Sequence, residues 1–160
     1  MSLLIKNAHI VGAADDYVGD IFIQGESIAA LGKNLDIRAD KEIDAAGLYA
    51  FPGFIDPHVH LEMPFMGTFS SDNYESGTRA ALHGGNTMVI DFILQKQGHS
   101  LYEAYKEWSG RADGNCVGDY SFHMAVTDFN DNTCKEIVDL IEKEGITSFK
   151  MFMAYKGALM

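Results

Sequence analysis

The 160 residues suit one domain, and 47% hydrophobic content is enough for a core. Lys and Arg total 12 against 23 Asp and Glu, and the net charge of −11 argues against nucleic acid or an anionic membrane, which reward clustered basic side chains. Cys116 and Cys134 lack framework spacing, Met1 to Lys6 lack a signal-peptide layout, and no apolar run nears the roughly 20 residues of a membrane span, so a soluble, cytoplasmic protein with reduced thiols is expected.

Residues 3 to 11 alternate and are rich in Leu, Ile and Val, which predicts a strand. Another is expected at Asp20–Gln24, then a turn at Gly25-Glu26-Ser27 and a return strand at Ile28–Leu31. Lys41–Asp44 and Leu48–Phe51 add short extended pieces. Residues 1–50 thus read as a small β-rich unit without a helix, which must pack against something else to close a core.

From residue 51 the pattern changes to strand alternating with helix. The apolar run Phe51-Pro52-Gly53-Phe54-Ile55 leads into Asp56-Pro57-His58-Val59-His60. Asp72-Asn73-Tyr74-Glu75 has the form of a helix start, and Gly84-Gly85 should stop that helix after His83. Thr87–Phe92 reads as a buried strand. Ser100-x-x-Glu103 is a second capping box, followed by Leu101, Tyr105, Trp108 and Ala112 at helical spacing, with Gly114 as the stop. Tyr120–Val126 makes a third strand. Thr133-x-x-Glu136 is a third capping box with Ile137, Val138 and Ile141 as its apolar stripe; Gly145 ends it, and Ile146–Phe152 is the fourth strand.

Four β/α steps imply a parallel sheet with right-handed crossovers. An open doubly wound sheet and the first half of a (β/α)8 barrel both fit, but no Gly-rich phosphate fingerprint follows any strand, which favours the barrel. A barrel places its site at the C-terminal strand ends. His58 and His60 sit at such an end, two residues apart, on the same side of a strand, where two imidazoles can chelate one metal. Alone, His-x-His is a weak signal.

The fourth strand carries the second signal. Ser148, Lys150 and Phe152 share one face, Phe149 and Met151 the other. A lysine in an apolar strand either snorkels to water or has its charge suppressed. A neutral amine reacts with carbon dioxide to give a carbamate, whose two oxygens can bridge two metal ions. Asp56 reads as an Asp-Pro turn starter rather than an imidazole acceptor. His9, His83, His99 and His123 have no partner at ligand spacing and read as structural or surface residues; Asp91 is expected to face the site region without an assignable role.

These motifs, with Met63-Pro64-Phe65-Met66-Gly67-Thr68, Thr78-x-Ala80-Ala81-x-x-Gly84-Gly85-x-Thr87 and Ser148-Phe149-Lys150-Met151-Phe152-Met153-Ala154-Tyr155-Lys156, resemble the dihydropyrimidinase and D-hydantoinase branch of the cyclic amidohydrolases. The resemblance covers essentially the whole chain. It implies the first half of a (β/α)8 TIM-type barrel (residues 51–160), preceded by part of a β-sandwich domain (residues 1–50). It also implies two zinc ions bridged by carboxylated Lys150, with His58 and His60 on the more buried metal. A bridging hydroxide would open a dihydropyrimidine or 5-substituted hydantoin ring to an N-carbamoyl amino acid. Tyr155 would hold and polarise the ring carbonyl, while Met63, Phe65, Phe152 and Leu159 would cover the exocyclic group. The resemblance further implies a homotetramer for the full-length chain.

The family pattern needs two more histidines and an aspartate from later strands, so the 160 residues alone are expected to be inactive and poorly folded. Dihydroorotase is a rival, but that family has an arginine where Glu62 stands, and allantoinase fits Met63-Pro64-Phe65 less well. A non-catalytic scaffold of the collapsin-response type would keep the fold without the metal site; His58, His60 and Lys150 together favour the hydrolase.

Overall fold

A computed structural model of the chain describes residues 1–65 and 67–157. The chain divides into two compact units, Met1–Pro52 and Gly53–Met160.

In the first unit, β1 (Ser2–Val11), β2 (Asp16–Gln24), β3 (Ser27–Gly32) and β4 (Lys41–Asp44) form a sheet in the order β3-β2-β1-β4, with β5 (Tyr49–Ala50) also paired to β1. The β1–β2 and β2–β3 pairs are antiparallel, while β4 and β5 run parallel to β1. Gln24 faces Ser27, so Gly25 and Glu26 make the turn, and Gly25 supplies the positive φ (63°) such a tight turn requires. Ala8, Ile10, Ile21 and Ala45 form the buried cluster. The register of β1 shifts between Ile5 and Ala8, where Asn7 is left-handed (φ 60°). Buried Asp20 fixes that irregularity by accepting from the Asn7 N–H at 2.9 Å, and it also accepts from Leu35 N–H at 2.8 Å. Those bonds, the one from Asn7 foremost, hold its carboxyl below the usual range.

The second unit alternates as expected: β6 (Phe54–Val59), a two-stranded ribbon of β7 (Pro64–Phe65) and β8 (Thr68–Phe69), α1 (Tyr74–His83), β9 (Asn86–Leu94), α2 (Leu101–Ala112), β10 (Asp119–Ala125), α3 (Asp131–Glu144) and β11 (Phe149–Lys150). Its four-stranded sheet has the order β11-β10-β9-β6, every neighbouring pair parallel. Helices follow β6, β9 and β10, the layout of half a barrel. Val89, Ile93, Phe122 and Met124 pack with Leu101, Ala104, Trp108, Ala112 and Leu140 in one core. Each large side chain buried there stabilises the fold by about 1.5–3 kcal/mol.

Four local expectations are corrected. The cap of α1 is Asn73, in a reciprocal box with Ser76 rather than with Glu75. The cap of α3 is Asn130, not Thr133, which lies buried inside the helix. Glu136 instead reaches α2, accepting from the Ser100 hydroxyl at 2.6 Å and the Leu101 N–H at 2.8 Å. The inner face of α3 is Thr133, Ile137 and Leu140, while Val138 and Ile141 remain exposed. The fourth strand pairs regularly only at Phe149 and Lys150, against Met124 and Ala125.

Candidate functional site

The C-terminal end of β6 breaks register between Asp56 and Val59. Asp56 accepts from the His58 backbone N–H at 3.1 Å, a local turn bond, so its carboxylate serves the main chain. The His58 and His60 rings lie 5.1 Å apart, edge to face. Both rest on Phe92 of β9, at 4.5 and 5.3 Å between ring centres. Lys150 reaches the same ring from β11: its Nζ is 4.2 Å from the Phe92 centre and 4.9 Å from that of Phe152. Among the described residues, Lys150 forms no ion pair.

The electrostatics favour a neutral imidazole. Burial, then the charges of His58 and Lys150, lower the pKa of His60. Its Nδ1 is buried without a hydrogen-bond partner, a costly state for a polar atom. Trp108 Nε1 shares that condition, but an indole N–H can only donate and has no lone pair for a cation. No group of three or more His, Cys, Asp or Glu side chains is arranged around a cation among the described residues. What the strand ends bring together is His58, His60 and Lys150, with Phe152 alongside.

Of the other expected site residues, Tyr155, Met63 and Phe65 lie within the described part of the chain. Tyr155 is exposed, left-handed (φ 65°), with its ring 6.5 Å from that of Phe152. Met63 begins the β7–β8 ribbon, its N–H donating to the Ser70 hydroxyl at 2.9 Å, and Phe65 is exposed on that ribbon. Leu159 lies outside the described residues.

Asp91 requires a correction. It faces the helix layer, not the cluster, because Phe92 takes the inward position and neighbours alternate. Asp91 accepts from Tyr74 Oη at 2.8 Å, from Phe92 N–H at 2.7 Å and from Leu61 N–H at 3.3 Å. Burial lifts its carboxyl to about 6 against these bonds. The turn after His60 is thereby tied from behind, and its left-handed Glu62 (φ 49°) is held further. The Glu62 N–H donates to the Asp72 carbonyl at 2.9 Å, and its carbonyl accepts from Arg111 Nη1 at 3.1 Å.

Comparison with known proteins then decides the family, since the model described as "Amidohydrolase family" matches residues 49–155. The chain belongs to the amidohydrolase family. Among its relatives is a D-hydantoinase of Geobacillus stearothermophilus, 51% identical over 98% of this amidohydrolase chain and 33% of the relative. A dihydropyrimidinase of Rattus norvegicus is 42% identical over 99% of this chain and 31% of its own length. The crystal structure of a dihydropyrimidinase from Brevibacillus agri superimposes with a TM-score of 0.97 at 47% identity, over 100% of this chain and 35% of that one. This amidohydrolase chain therefore spans about a third of the length of the relatives it matches. No helix among the described residues is long and apolar enough to cross a membrane.

Proposed function

We propose that these residues belong to a metal-dependent hydrolase that opens the cyclic amide of dihydropyrimidines or 5-substituted hydantoins. The observation that carries this is the buried, unpartnered Nδ1 of His60, in a neutral ring beside His58 and Lys150. An imidazole of that kind suits a cation, and relatives named D-hydantoinase and dihydropyrimidinase support the substrate class. His58 and His60 would hold one ion, and Lys150, as its carbamate, would hold two zinc ions together. In forming that carbamate the amine nitrogen bonds to carbon dioxide and releases a proton. Bound cations would supply Lewis acidity toward the ring carbonyl and toward water.

This chain's own residues do the rest. Phe92 and Phe152 flank the lysine nitrogen with their rings, at 4.2 and 4.9 Å from the ring centres. Tyr155 would donate to the ring carbonyl, and Met63, Phe65, Phe152 and Leu159 would cover the exocyclic group. In this reading residues 1–50 contribute to a β-sandwich, residues 51–160 are the first half of a complete barrel, and the full-length protein is a cytoplasmic homotetramer.

The test is to purify the full-length polypeptide, measure its zinc content, and follow ring opening of dihydrouracil and a 5-substituted hydantoin. About two zinc ions per chain and N-carbamoyl product are expected; Lys150→Ala should lose metal and lower kcat by more than roughly 100-fold, beyond the usual effect of a supporting residue. A full-length chain that binds no metal and opens neither ring overturns the reading in favour of a scaffold.

A further inference from the structure

His123 lies on β10 between Phe122 and Met124, both of which point into the helix-covered core. Its own ring turns the opposite way and packs at a tilt against Phe92, 4.8 Å between centres, the same ring that His58 and His60 flank. Both of its nitrogens are engaged. Nε2 donates to the Pro57 carbonyl at 2.9 Å, and Nδ1 meets the Ser148 hydroxyl. A carbonyl can only accept, so Nε2 carries the proton and Nδ1 receives the hydroxyl hydrogen.

The two partners are the significant part. Pro57 immediately precedes His58, in the stretch of β6 that has left regular register with β9. Ser148 stands two residues before Lys150, immediately ahead of β11. In the sheet order β11-β10-β9-β6, these are the two outer strands, with no ladder between them. One imidazole on β10 thus crosses β9 to the histidine-bearing strand and also holds its neighbour, the lysine-bearing strand.

We propose that His123 is a positioning residue: it ties the Pro57 carbonyl to the Ser148 hydroxyl and so sets the spacing between the His58–His60 pair and Lys150. It neither binds a metal nor touches substrate. The inference rests on the metal-site reading above. If the spacing is loosened, the donors still exist but no longer converge, so the metal should leave faster while the substrate pocket is unchanged.

The experiment uses the full-length, metal-loaded protein and measures the rate of zinc release to a chelator, the melting temperature of the metal-free form, and kcat and KM separately. His123→Phe keeps a ring against Phe92 but removes both hydrogen bonds. It is expected to release zinc roughly 10- to 100-fold faster, with lower kcat, unchanged KM, and metal-free melting close to the parent's. His123→Gln retains a donor placed like Nε2 and should recover much of the loss; Ser148→Ala, which frees only Nδ1, should show a smaller effect than His123→Phe. Parental zinc release in His123→Phe overturns the proposal. So does a fall in metal-free melting that accounts for the whole effect and is not relieved by glutamine. If the parent protein itself binds no zinc, the metal-site reading fails and takes this proposal with it; zinc-replete parent with indifferent His123 variants sinks this proposal alone.

Discussion

At the scale of the residue, Asp91 shows how a group can serve a site it does not face. Three donors, Tyr74 Oη, Phe92 N–H and Leu61 N–H, converge on one buried carboxyl, and burial still lifts it to about 6 from an ordinary 3.8. A carboxyl raised in the folded state favours the fold most when protonated. Its contribution is full below about pH 4 and is lost as pH rises to about 6, a swing of at most roughly 3 kcal/mol. Asp91→Asn cannot titrate, and its single acceptor oxygen cannot satisfy three donors. The variant should therefore be less stable throughout, with the parent's advantage larger at pH 4.5 than at pH 7 in parallel denaturant titrations of the full-length protein. An advantage independent of pH would contradict the assignment. His60 carries the opposite sign: its depressed pKa gives stability that is present above about 6.5 and lost as pH falls through its folded value.

Among the elements, the second and third helices are joined by a carboxylate that belongs to one and caps the other. Glu136 of α3 accepts the first N–H of α2 and the hydroxyl of its cap, Ser100, whose oxygen in turn accepts from Tyr102 and Glu103 N–H. Glu136→Ala should cost about 1–2 kcal/mol, since it strips both a cap and its favourable charge near a helix N-terminus. Equilibrium unfolding of the full-length protein measures it; a loss below about 0.3 kcal/mol, as for an ordinary exposed pair, would show that α2 is capped sufficiently by Ser100. This link could not be read from the chain. Local spacing made Glu136 the third residue after Thr133, which is the form of a capping box, and only tertiary packing moves the cap to Asn130 and frees the carboxylate. Legible features share the property of being local. The His58-x-His60 spacing, Lys150 in an apolar strand, the Ser100 cap and the stops at Gly84 and Gly145 all follow from a few neighbouring residues. Phe92 was not legible as the ring on which four polar groups gather, because an inward aromatic in a strand has the same signature as any core residue.

At the scale of the whole molecule, the second unit presents a sheet whose outer strands, β6 and β11, each keep one edge unpaired among the described residues. Phe54 and Ile55 on β6 are more than half exposed, as is Met151 just after β11. Such edges and apolar faces invite association. Expressed as these 160 residues alone, the chain should bind an apolar dye such as ANS, sediment as aggregates, and open no ring; a soluble, cooperatively melting 17.6 kDa hydrolase would refute this. The same sheet carries a consequence for synthesis. Its order, β11-β10-β9-β6, is the order of the chain, so each strand lies beside the one made just before it. A ribosome delivers about 5–20 residues per second, and β9, β10 and β11 each emerge after the strand of this sheet on which they dock. This half-barrel sheet can be laid down stave by stave, and within it only the outer edges of β6 and β11 are left without a partner.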